Sequence, residues 1–191
     1  MSPANSLGFM DGGIDAIYDQ QMFPGCQRVV QRAIRELGHL TGLGRPYLRV
    51  GSALWTLIDD CGPYPTALIT APTMFLPHDV SATNNAYWAM LATLELADRI
   101  YTQSGGALHT IVCPSLCCGW GKMTPTEAVR QMRQALTDFE AGHKPQDVEI
   151  HVDRYLIWPS RDAEQPANYD NREIGVGEYA DGPIKEVSVS M

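Results

Sequence analysis

Two glycine-rich stretches carry residues whose types and spacing suit the binding of an anionic ligand. The first, NSLGFMDGGID, runs from Asn5 to Asp15 and opens straight into a helical pattern. The second, PSLCCGWGKM, runs from Pro114 to Met123 and stands just before another helix start. Both offer backbone N–H groups near a helix entry, where an anion is favoured. Glycine leaves such a loop open to close approach and tolerates positive φ. Neither stretch is a Walker loop, since no Gly-Lys-Ser/Thr occurs in it, and neither contains Gly-x-Gly-x-x-Gly. Taken singly, each reads equally well as a tight structural turn or as an anion cradle.

Other side chains near these loops bear on chemistry. Asp15 sits one residue into its helix, where a carboxylate serves the helix dipole or orients a water. Cys117 and Cys118 put thiols before a helix start, which lowers a thiol pKa, yet no base is nominated for either. With His109 they hint at metal, but adjacent cysteines do not readily share one zinc and no second pair has ligand spacing. No metal and no cofactor is expected. Glu149, His151 and Asp153 lie on one face of an expected strand, and a solvated outer face is the ordinary explanation.

The elements that must hold these residues alternate between helix and strand. A short helix is expected over residues 14–21, broken at Phe23-Pro24-Gly25. Val30, Ala33, Ile34 and Leu37 recur at helical spacing, with Gly38 as the stop. Strands are expected over residues 47–57, 66–74 and 107–116, the last two apolar enough to be buried on both faces. A long helix is expected over residues 84–101. Thr124, Pro125 and Glu127 supply an N-cap, a first-position proline and a capping-box acid for a helix with Val129, Met132, Leu136 and Phe139 inward. Val148, Ile150 and Val152 alternate with polar residues as a half-buried strand.

The 191 residues suit one domain, and 45% hydrophobic content is ample for a core. A formal charge of −8 argues against a nucleic-acid backbone as partner. It permits a small anion met by backbone dipoles. Five irregularly spaced cysteines without a secretory segment point to reduced thiols in the cytoplasm or nucleus. No apolar run is long enough for a membrane span, so no membrane partner is expected.

The joint pattern is more specific than either loop. NSLGFMDGGIDAIY resembles the signature loop of macro domains, the modules that bind ADP-ribose. APTM, from Ala71 to Met74, with the helix opening Asn84-Asn85-Ala86-Tyr87, is similar to the central strand and helix of one macro-like branch. PSLCCGWGKM is similar to the diphosphate loop of that branch. The resemblance implies a three-layer α/β/α sandwich around a mixed, mostly parallel sheet over residues 1–144, then an extra strand at 145–158 and a polar tail at 159–191.

It further implies that Asn5 meets the distal ribose and that Gly12, Gly13 and Ile14 offer N–H groups to phosphate and ribose. Asp15 would face that ribose or hold a water. Ser115, Leu116, Cys117, Cys118, Gly119, Trp120 and Gly121 would wrap the diphosphate, with Trp120 as an apolar wall. The implied partner is ADP-ribose or an ADP-ribosylated protein, and catalysis at Asn5 and Asp15 would make the module a hydrolase of ADP-ribosyl bonds or of ADP-ribose 1″-phosphate. A member that binds no nucleotide and acts as a scaffold or regulator is the alternative. Met10 and Asp11 stand where hydrolytic members carry glycine, and Tyr18 where a histidine is common. With only Met1 to Ala4 ahead of Asn5, the family's first strand is expected to be missing and a sheet edge exposed.

Overall fold

The computed structural model describes residues 1–59, 66–106, 110–142 and 149–152. Val148, Asp153, His109 and the tail from Pro159 lie outside the described residues, as does the start of the strand expected from Ala107. The described chain is a mixed α/β fold. Its helices are Gly13–Ile17 (α1), Cys26–Leu37 (α2), Asn85–Gln103 (α3) and Pro125–Glu140 (α4). Its strands are Ser52–Asp59 (β1), Thr66–Thr70 (β2) and Glu149–Val152 (β3). They form a small mixed sheet of order β2-β1-β3, antiparallel between β1 and β2 and parallel between β1 and β3. A mostly parallel sheet was expected, and these strands divide evenly between the two senses.

Alternation along the strands decides what each face covers. Leu54 and Ile58 of β1 and Leu68 of β2 bury themselves with Val29, Val30, Ala33 and Ile34 of α2. Ala53, Trp55 and Ile69 join the other cluster, with Ala89, Leu96 and Ile100 of α3. The predicted α2 forms, and Gly38 ends it with φ +74. The helix expected over residues 14–21 instead changes character: α1 passes into a π-helical turn at Tyr18–Met22, closed by Phe23 N–H donating to Tyr18 O over 2.7 Å.

Two expected strands are shorter than the apolar runs that predicted them. Before β1, Tyr47 and Leu48 give their N–H groups to His39 O and Ser6 O, so they are loop residues. Beyond Thr70 the chain leaves the sheet, with Pro72 unable to donate to a ladder. Residues 110–116 carry no strand: Val112 is 74% exposed and Pro114 has no N–H to offer.

The inward face of α4 also differs from expectation. Val129 and Leu136 are exposed, while Ala128, Gln131 and Ala135 are buried. Small alanines allow close helix approach, and Gln131 then serves the start of α3. Its Oε1 accepts from Tyr87 N–H (3.2 Å) and its Nε2 donates to Thr83 O (2.8 Å). An orphan donor of the α3 first turn is thereby satisfied from the neighbouring helix. Thr124 caps α4 as predicted, accepting from Glu127 N–H at 3.2 Å.

The residues before Asn5 enter the sheet. Ser2 N–H donates to Ile69 O (2.7 Å) and Ala71 N–H donates to Ser2 O (3.0 Å), a single parallel bridge beside β2. On its other side, the Met1 nitrogen donates to Val112 O at 2.7 Å. The edge of β2 is therefore covered there.

The loop after this bridge lies on α2. Met10 N–H donates to Gln27 Oε1 at 2.6 Å, and Met10 itself is buried. Its side chain belongs to the core cluster that includes α2. Gly8 has φ +73, and a Cβ there would lie 2.9 Å from Ile34 Cδ1. Gly8→Ala is accordingly expected to cost about 1–3 kcal/mol through backbone strain and overpacking. Urea unfolding measures it, and an unchanged midpoint would show that the loop does not depend on this approach.

Candidate functional site

Three loops meet at one cavity of about 480 Å³. The first supplies Asn5, Gly12, Gly13, Ile14 and Asp15 to its wall. The second supplies Ser115, Cys117, Cys118, Gly119, Trp120 and Gly121. The segment after β2 adds Thr73 and Met74. Of the residues expected to contact the ligand, Leu116 alone is not brought to the wall; it is fully buried in the core beside α3. Phe9, Thr73 and Met74 were not foreseen as wall residues. The last two were read as strand, and they reach the cavity because β2 stops at Thr70.

The two glycine loops touch. A Cβ on Gly12 would stand 3.3 Å from Trp120 Nε1. Trp120 is 68% exposed, an indole at the rim of the cavity rather than in the core. The second loop folds back on itself, with Lys122 N–H donating to Gly119 O and Met123 N–H to Cys117 O, each at 3.0 Å. Gly121 N-terminal neighbours leave it no room: a Cβ there would lie 2.5 Å from Cys117 O. Gly119, by contrast, faces open space.

These turns leave backbone donors unused. Among the described residues, no acceptor takes the N–H groups of Gly12, Gly13 and Ile14, or those of Cys118, Gly119, Trp120 and Gly121. None of the described residues lining the cavity is Lys, Arg or His. The positive potential available to an anion is therefore that of peptide dipoles.

Asn5 shapes the first loop with its side chain. Its Oδ1 accepts from Leu7 N–H (3.0 Å) and Phe9 N–H (3.3 Å), and its main-chain oxygen accepts from Gly8 N–H at 2.9 Å. With Oδ1 committed, the amide Nδ2 is what Asn5 has to give a ligand. Asp15 is nearly buried, and its Oδ1 accepts from Ser2 Oγ–H at 2.6 Å. Burial pushes its carboxyl up to about 6, opposed by the Ser2 hydrogen bond and the Met1 ammonium and reinforced by the charge of Asp11.

The thiols do not form a nucleophile pair. Cys117 is buried at φ 62, and burial pushes its thiol up to about 11, so it stays protonated at neutral pH. Cys118 Sγ accepts from Ser115 Oγ–H at 2.9 Å and donates to Leu116 O at 3.4 Å. Among the described residues no group of three or more His, Cys, Asp or Glu could hold a metal ion. No helix there is long and apolar enough to cross a membrane.

The Asp15 environment fixes a pH dependence. An unfolded Asp titrates near about 3.9, so folding raises this pKa and the folded state holds the proton more tightly. The stability this proton linkage supplies is full below about pH 4 and lost as pH rises through about 6. Asp15→Asn removes the titration. Its stability relative to the unsubstituted protein is expected to rise by about 2–3 kcal/mol between pH 4 and pH 7, read from urea unfolding. A constant difference across that range would contradict the assigned environment.

The chain matches no protein-family model, and no curated protein matches it significantly.

Proposed function

We propose that this protein binds ADP-ribose, free or attached to another protein, in the cavity between its two glycine loops. In this reading residues 1–144 are a macro-like module and the described elements are part of a three-layer α/β/α sandwich. The observation that carries the proposal is the set of unused N–H groups on two loops more than a hundred residues apart, which line the same cavity. A diphosphate satisfies such donors without Lys or Arg, which suits an acidic chain. Asn5 Nδ2 and the Asp15 carboxyl then serve ribose hydroxyls, and Trp120 forms an apolar wall at the rim.

The role proposed is recognition. Asp15 is held by Ser2, and the Cys117 thiol is protonated and buried. Neither nucleic acid nor membrane is a proposed partner, and the cytoplasm or nucleus is the proposed compartment, where ADP-ribosylated proteins occur.

Calorimetric titration with ADP-ribose tests the proposal. Gly119→Glu is expected to abolish binding while the circular-dichroism spectrum is kept, because the new side chain has room but brings negative charge to the cradle. Asn5→Ala and Asp15→Ala are each expected to weaken affinity by about 1–3 kcal/mol, through lost hydrogen bonds. Turnover of an ADP-ribosylated substrate that Asp15→Ala slows by about 10²-fold with affinity unchanged would instead make the protein a hydrolase. No binding of ADP-ribose by the folded protein would overturn the proposal and leave a scaffold or regulator as the alternative.

A further inference from the structure

Asp11 lines the cavity on the first loop, is exposed, and carries a charge felt by the Asp15 carboxyl behind it. Among the described residues no cation pairs with Asp11, and the nearby loop lysine, Lys122, is directed to Asp79 at 3.8 Å. Asp15 is buried against Ser2 and feels the Met1 ammonium, whereas Asp11 is exposed, and no described residue lining the cavity is Lys, Arg or His. The unused N–H donors of Gly12, Gly13 and Ile14 follow Asp11 on the same loop and line the same wall.

We infer that Asp11 is a specificity-determining residue: it sets the cavity against ligands that carry a phosphate monoester on the ribose held at Asn5 and Asp15, and in favour of ligands whose ribose ends there in an uncharged substituent. This rests on the proposed function, which supplies the nucleotide and its direction in the cavity. The physical cause is charge. A monoester is close to dianionic at neutral pH, whereas each phosphate of an internal diphosphate carries a single charge and shares the N–H donors of both loops. Beside an unneutralised carboxylate, added negative charge is disfavoured, and because Asp11 is exposed the penalty is screened by salt.

The test compares ADP-ribose with ADP-ribose 1″-phosphate by calorimetry, at low and high salt, in the unsubstituted protein and in Asp11→Asn. The unsubstituted protein is expected to bind ADP-ribose about tenfold or more tightly than the monoester at low salt, with the preference shrinking at high salt. Asp11→Asn is expected to improve monoester binding severalfold and ADP-ribose binding by a clearly smaller factor, so that the preference between the two shrinks. Equal or tighter binding of the monoester, or a ratio that Asp11→Asn leaves unchanged, overturns the inference while the nucleotide reading stands. Binding of neither ligand by the folded protein overturns both.

Discussion

Ser2 joins the sheet to the candidate site. Its main chain bridges Ile69 and Ala71, extending the sheet beside β2, and its hydroxyl donates to the Asp15 carboxylate at 2.6 Å. The same oxygen accepts from Ala4 N–H at 3.2 Å. One fully buried serine thus fixes where the first loop departs and where α1 begins. Asn5 then turns the chain through its own carboxamide, and Gln27 of α2 anchors the far side of the loop at Met10. In this loop, pinned at both ends, the N–H groups of Gly12, Gly13 and Ile14 have no acceptor among the described residues, which is the property the site depends on.

The second loop is built by a different device. Its turn closes through hydrogen bonds within residues 117–123, with Cys117 at positive φ and Gly121 in a space that admits no Cβ. Val80 N–H donates to Gly121 O at 3.0 Å and ties this turn to the segment ahead of α3. Two loops with separate anchors therefore meet at Gly12 and Trp120. Neither loop brings Lys, Arg or His to the described wall, so a ligand anion there would be met by peptide dipoles.

The sequence disclosed these loops because their signals are local. Glycine spacing, the Asn5-to-Asp15 interval and the Thr124 cap are all set by a few adjacent residues, and the helices α2, α3 and α4 follow from their own periodicity. What it hid depends on partners distant in the chain. Apolar runs at residues 47–57 and 107–116 read as strands, yet no local signal says that Leu48 pairs with Ser6 or that Val112 meets Met1. The helical stripe on α4 named Val129 and Leu136, whereas packing chose Ala128, Gln131 and Ala135, because Gln131 answers a donor on α3. The burial that raises Asp15 was equally invisible, since no local signal says that the Asp15 carboxyl is enclosed and meets the Ser2 hydroxyl.

The central claim is that peptide N–H groups of both glycine loops, rather than charged side chains, meet the phosphates of ADP-ribose. Residue-resolved amide hydrogen exchange with and without ADP-ribose tests it most directly. Slowed exchange at Gly12, Gly13 and Ile14 together with Cys118, Gly119, Trp120 and Gly121 is the expected result. Protection confined to one loop, or to residues away from this cavity, would contradict it.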